Sequence, residues 1–134
     1  MKTYAIRLHP GQDFRVEIDK FVEEKAIKAG AIFTCVGNLS KAVLRMADAS
    51  IIKTYEGTFE ITSLVGTVEK KNSHLHITIS DKDGKTFGGH LKNGSIVGIT
   101  AEIVVAELDE LIFKREFDKD TGYDELVIEN LQNF

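Results

Sequence analysis

The sequence predicts an α+β fold: a large, mainly antiparallel, barrel-like β-sheet with one main α-helix packed on it. Two patterns carry that expectation. One segment near the start has apolar residues at helical spacing, and after it come eight short β-like runs separated by turn residues. The connections between those runs are too short for parallel crossovers, which need about a dozen residues or more.

Taken in order, Tyr4, Ile6 and Leu8 alternate with Ala5 and Arg7, as in a first strand with one buried face. Pro10-Gly11 turns the chain. Phe14, Ile18, Phe21, Val22, Ala26 and Ala29 then mark one face of a helix over about 14–29, with Asp13 as N-cap and Gly30 just past its end. The β-like runs follow at 31–36, 42–47, 51–55, 58–68, 74–80, 85–91, 95–107 and 126–129. No repeat, low-complexity tract or linker interrupts them, so residues 1–134 read as a single domain.

A chain of 134 residues with 43% hydrophobic side chains can bury a core without a disulfide or a structural metal. Its one cysteine, Cys35, can form no internal disulfide and reads as a buried strand thiol. The first residues lack the apolar run of a signal peptide, and no stretch reaches the ~18 apolar residues of a membrane span, so a cytoplasmic location is expected. The net charge of -4 argues against a polyanion as the main partner. Its distribution is uneven, because residues 101–134 hold ten acidic against three basic side chains. No nucleophile elbow, Walker A sequence or dinucleotide fingerprint is present.

Histidine spacing is the strongest chemical signal. Three of the four histidines are His74, His76 and His90. Residues i and i+2 of a strand share a face, so His74 and His76 point the same way. Whether His90 joins them depends on the turn Asp81-Lys82-Asp83-Gly84-Lys85. A three-residue loop over Lys82-Asp83-Gly84, with Gly84 in the left-handed region, sets His76 opposite His90 and brings all three imidazoles together. A two- or four-residue loop sends His90 to the other face, and a bulge at Gly88-Gly89 could re-aim it. Three imidazoles with one open position suit a catalytic-type zinc site, although nickel, iron or copper also accept them. We therefore expect one divalent metal per chain. Arg45 and Glu102 could line a pocket beside it, while alternation alone favours solvent-facing strand positions for both. His9, beside Pro10, reads as a loop residue.

The His-x-His and Gly-Gly-His elements, with Gly57-Thr58-Phe59-Glu60-Ile61-Thr62-Ser63-Leu64-Val65-Gly66, resemble the PPC domain, conserved between plants and prokaryotes. The resemblance extends to Arg7-Leu8-His9-Pro10-Gly11, to Arg115-Glu116-Phe117-Asp118 and to Thr121-Gly122-Tyr123-Asp124-Glu125-Leu126. It implies a mainly antiparallel sheet with a flanking helix, a homotrimer, and the three histidines as a metal site. The fold also resembles that of acetolactate decarboxylase, where histidines of a similar hairpin hold catalytic zinc. Family members are often described as DNA-binding, which in plants rests mainly on an appended AT-hook. That Arg-Gly-Arg-Pro element is missing here, and Thr58 and Thr62 replace the arginine and leucine of the plant motif. The sequence and the resemblance together point first to a homotrimeric, metal-binding, DNA-associated or regulatory module that is not an enzyme, with any DNA association expected to be weak. The second reading is a zinc-dependent lyase or hydrolase acting on a small anionic or carbonyl ligand at the metal.

Overall fold

Two long strands organise the sheet. In the computed structural model, which describes residues 1–131, the elements are β1 (Lys2–Leu8), α1 (Phe14–Glu24), β2 (Gly30–Arg45), β3 (Ile52–Val68), β4 (His74–Ser80), β5 (Thr86–Leu91), β6 (Ile96–Glu107), β7 (Leu111–Asp118) and β8 (Tyr123–Asn130). Residues 132–134, the end of the domain expected over 1–134, lie outside the described residues. The fold is α+β, with one helix on a mostly antiparallel, partly closed sheet.

The main sheet runs β1-β6-β2-β3-β4-β5, and every pairing in it is antiparallel. Closure comes from β2. One of its edges holds β3, while the other passes from β6 to β5, where Leu44 faces Leu91 and Arg45 faces His90. Strands β2 to β5 thereby form a ring. Its interior is filled by Leu39, Leu44, Leu75, Ile77, Ile79 and Leu91, all essentially buried. A separate hairpin, β7-β8, attaches where the Phe113 N–H donates to the Lys28 carbonyl at 3.0 Å.

The expected breaks within β2 and β3 do not occur. Run 31–36 and all but the last two residues of run 42–47 belong to one strand, as do run 58–68 and all but the first residue of run 51–55. Bulges between Leu39 and Lys41, and others against β6, absorb the Gly37-Asn38 irregularity instead of ending the strand. At Gly37 a Cβ would sit 2.2 Å from the Thr100 carbonyl oxygen, so the glycine serves a close strand approach.

Helix α1 stops five residues short of the expected end. Ala26 takes a left-handed conformation (φ 53°), the Ala26 N–H donates to the Glu23 carbonyl, and the Ile27 N–H donates to the Val22 carbonyl. These two bonds form a Schellman cap, closed by buried Val22 and Ile27. Gly30 is thus the first residue of β2, where a Cβ would lie 2.9 Å from the Ala106 carbonyl oxygen. At the other end, Asp13 caps the helix by accepting from the Val16 N–H through Oδ1, and accepts from the Gly94 N–H at 2.7 Å through Oδ2. Phe14, Ile18 and Val22 form the face packed on the sheet. No helix among the described residues is long and apolar enough to cross a membrane.

Candidate metal centre

Strand β4 turns Leu75, Ile77 and Ile79 into the core and leaves His74 and His76 on the outer face. The connection to β5 is the three-residue loop. The Asp81 N–H donates to the Lys85 carbonyl, the Asp81 carbonyl accepts from the Gly84 N–H, Asp81 Oδ1 accepts from the Asp83 and Lys85 N–H groups at 2.9 Å, and Gly84 is left-handed (φ 80°). His76 consequently lies opposite His90. The register runs unbroken through Gly88 and Gly89, so no bulge re-aims His90. The glycines instead let β5 fit between its neighbours. A Cβ on Gly88 would lie 2.2 Å from the Ile77 carbonyl oxygen, and one on Gly89 would lie 2.7 Å from that of Arg45.

The three rings meet with centroids 5.0 Å (His74–His76), 5.2 Å (His74–His90) and 5.6 Å (His76–His90) apart. One nitrogen from each lies within 4.8 Å of the other two. Tetrahedral zinc with Zn–N of about 2.0–2.1 Å needs nitrogens about 3.3 Å apart, a spacing within reach of modest ring rotations. His90 Nδ1 is buried and has no hydrogen-bond partner among the described residues, which fits a ligand atom better than a structural one. Burial, then the Arg45 charge, holds His90 down to about 4; burial, then His76, also lowers His74. Both rings are thereby kept neutral, the form that binds a metal.

A cleft of about 410 Å³ opens beside His74 and His90, and Arg15, Arg45, Arg115 and Glu125 are on its walls. Arg45 is therefore a cleft residue, whereas alternation favoured a solvent-facing position. Its strand face is outward, but α1 and the β7-β8 hairpin wall the space in front of it. Glu102 is exposed on β6 opposite Arg7 and takes no part. His9 is exposed in the loop after β1, away from the cluster. Cys35 is half-buried, its thiol pushed up to about 12 by burial and then by Glu102.

Sequence reasoning missed Arg15 and the roles of Arg115 and Glu125. Arg15 donates to the Leu91 and Ser73 carbonyls at 3.4 and 3.1 Å. Arg115 Nε donates to Glu69 Oε1 at 2.8 Å, and its Nη2 donates to Thr67 Oγ1 at 3.3 Å. The only available signal was that Arg115 and Glu125 fall in blocks carrying the family resemblance.

The family model of the Plants and Prokaryotes Conserved (PCC) domain matches residues 1–109. This chain belongs to that family. The PCC domain is the PPC domain of the sequence reading, and the matched span ends just after β6. The hairpin that brings Arg115 and Glu125 to the cleft lies beyond it. Among solved structures, a hypothetical protein from Salmonella enterica is 40% identical with a TM-score of 0.94, covering 96% of this chain and 94% of that one. A metal-containing protein from Archaeoglobus fulgidus is 31% identical with a TM-score of 0.79, covering 95% of this chain and 94% of that one. The bifunctional protein GlmU of Synechococcus sp. (strain JA-3-3Ab) is 40% identical over 131 residues, which is 98% of this chain and 21% of GlmU. This PCC-domain chain thus spans about a fifth of the length of such curated relatives.

Proposed function

We propose that this chain is a single-domain metal-binding PCC module over residues 1–134, holding one zinc-class ion through His74, His76 and His90. The observation that carries the reading is the convergence of three imidazole nitrogens within 4.8 Å on one sheet face. The metal-containing relative from Archaeoglobus fulgidus supports it. Exposed apolar strand residues such as Phe33, Val36, Val65 and Ile99 support a homotrimer with closed symmetry, the assembly implied by the family resemblance. A lone unpaired cysteine suits the reducing cytoplasm. DNA association by this acidic chain is weak and steeply salt-dependent. Protein purified without a polyhistidine tag should contain about one zinc per chain, as one three-imidazole site requires, and His76→Ala should remove most of it. Absence of metal in elemental analysis after zinc loading at neutral pH would overturn the assignment.

One observation favours a second reading as an enzyme. The cleft beside the histidines has a carboxylate on its rim, half-buried Glu125, which supplies the acid–base candidate that sequence motifs lack. A bound zinc ion would act there as a Lewis acid towards a ligand oxygen.

A further inference from the structure

We propose that the cleft beside the three histidines binds a small organic monocarboxylate carrying a neighbouring keto or hydroxyl oxygen, with Arg45 as the anchor for the carboxylate. The proposal rests on reading His74, His76 and His90 as metal ligands, since the second oxygen is meant for the coordination position they leave open.

Three guanidinium groups line the cleft, from α1, β2 and β7, but they are not equivalent. Arg115 is neutralised by Glu69 at 2.8 Å. Arg15 is held by two carbonyls and lies 3.9 Å from Asp19. The Arg45 guanidinium makes no hydrogen bond or ion pair with any described residue, and Arg45 sits directly across from His90 in the β2–β5 register. A planar fork of donors beside a three-imidazole cluster matches a carboxylate whose other end reaches the metal.

One further polar atom on the same walls, Ser73 Oγ on a residue only 3% exposed, is buried without a hydrogen-bond partner among the described residues. Buried hydroxyls are normally hydrogen-bonded, so its position on the cleft wall fits a ligand with an oxygen acceptor. The volume of about 410 Å³ is at the small end for ligand pockets, which run from about 300 to 1,000 Å³.

Opposing charge narrows the class. Asp124 and Glu125 line the same cleft, contributed by β8. They disfavour a ligand with negative charge at both ends and so select against phosphate and dicarboxylates. One carboxylate joined to an uncharged oxygen meets both demands.

The test uses calorimetry on zinc-loaded protein at neutral pH, with zinc content measured alongside. Pyruvate should bind, while methyl pyruvate, which keeps the keto oxygen and loses the charge, should bind at least about tenfold more weakly. Inorganic phosphate should also bind more weakly than pyruvate. Arg45→Gln should lower pyruvate affinity by about tenfold or more, and Arg45→Lys should restore part of it, as expected for a charge-assisted contact. A zinc-loaded protein that ignores pyruvate, or that binds its methyl ester or phosphate equally well, overturns the proposal alone. A chain that takes up no zinc overturns the metal reading and the proposal with it. Should Arg45→Gln fail to fold, the comparison of pyruvate with its ester on the unmodified protein still decides.

Discussion

Replacing Arg115 with methionine should destabilise the protein far more than loss of a surface ion pair would. The Arg115 side chain is 14% exposed and that of its partner Glu69 only 4%, so solvent screens the pair little. Glu69 Oε2 has no hydrogen-bond partner among the described residues, leaving the Arg115 contact at Oε1 as the main compensation for a buried charge. Removing one member of such a pair costs about 3–5 kcal/mol. With an unfolding entropy of about 2.1 cal/mol/K per residue over this chain, that corresponds to a fall in Tm of roughly 11–18 °C. Thermal melts followed by circular dichroism, at fixed chain concentration because assembly contributes to Tm, would measure it. Adding Glu69→Gln to Arg115→Met should recover much of the loss, since the stranded charge is gone. A fall of less than about 3 °C, or a double variant no more stable than Arg115→Met, would refute the reasoning.

Gly66→Ala should cost about 1–3 kcal/mol by overpacking and also weaken zinc binding, because its Cβ would meet the His74 carbonyl oxygen at 2.1 Å; melts and a zinc titration would show both losses together. The metal-free protein should lose stability as pH falls from about 6.5 to about 4, where the unfolded chain takes up a proton that folded His90 still refuses. His90→Asn should flatten that part of the Tm-against-pH curve, and identical slopes would count against the assignment. Cys35, pushed up to about 12, should hold about three orders of magnitude less thiolate at pH 8 than an ordinary cysteine of pKa about 8.5. Iodoacetamide labelling of the folded protein within tenfold of the glutathione rate would contradict this.

How much was readable in advance varied with how local the cause was. The β4-β5 hairpin was legible because alternation, an Asp-led turn and a left-handed glycine all act within a few residues. The end of α1 was not, because Ala26 and Ala29 continue the helical spacing while the Schellman cap breaks the helix at a residue with no glycine to announce it. Strand β7 went unread since Lys114, Arg115 and Glu116 interrupt its apolar alternation, and β8 was read at half its length. The histidines come from one hairpin, so their meeting followed from a single register. Arg15, Arg45 and Arg115 come from three elements far apart in sequence, and only the packed fold brings them to one cleft.

Asp13 has a consequence for how that cleft can move. One carboxylate holds both the first turn of α1 and the loop before β6, so the helix start cannot swing outward without breaking the Gly94 bond at Oδ2 and the bond from the Phe14 N–H to the Ser95 carbonyl. Arg15 sits in that same turn. The wall it forms is therefore clamped rather than hinged, and the cleft should select ligands by fixed shape, with little closing around them. A serine at this position could still start the helix but, with one oxygen, could not also grip the loop.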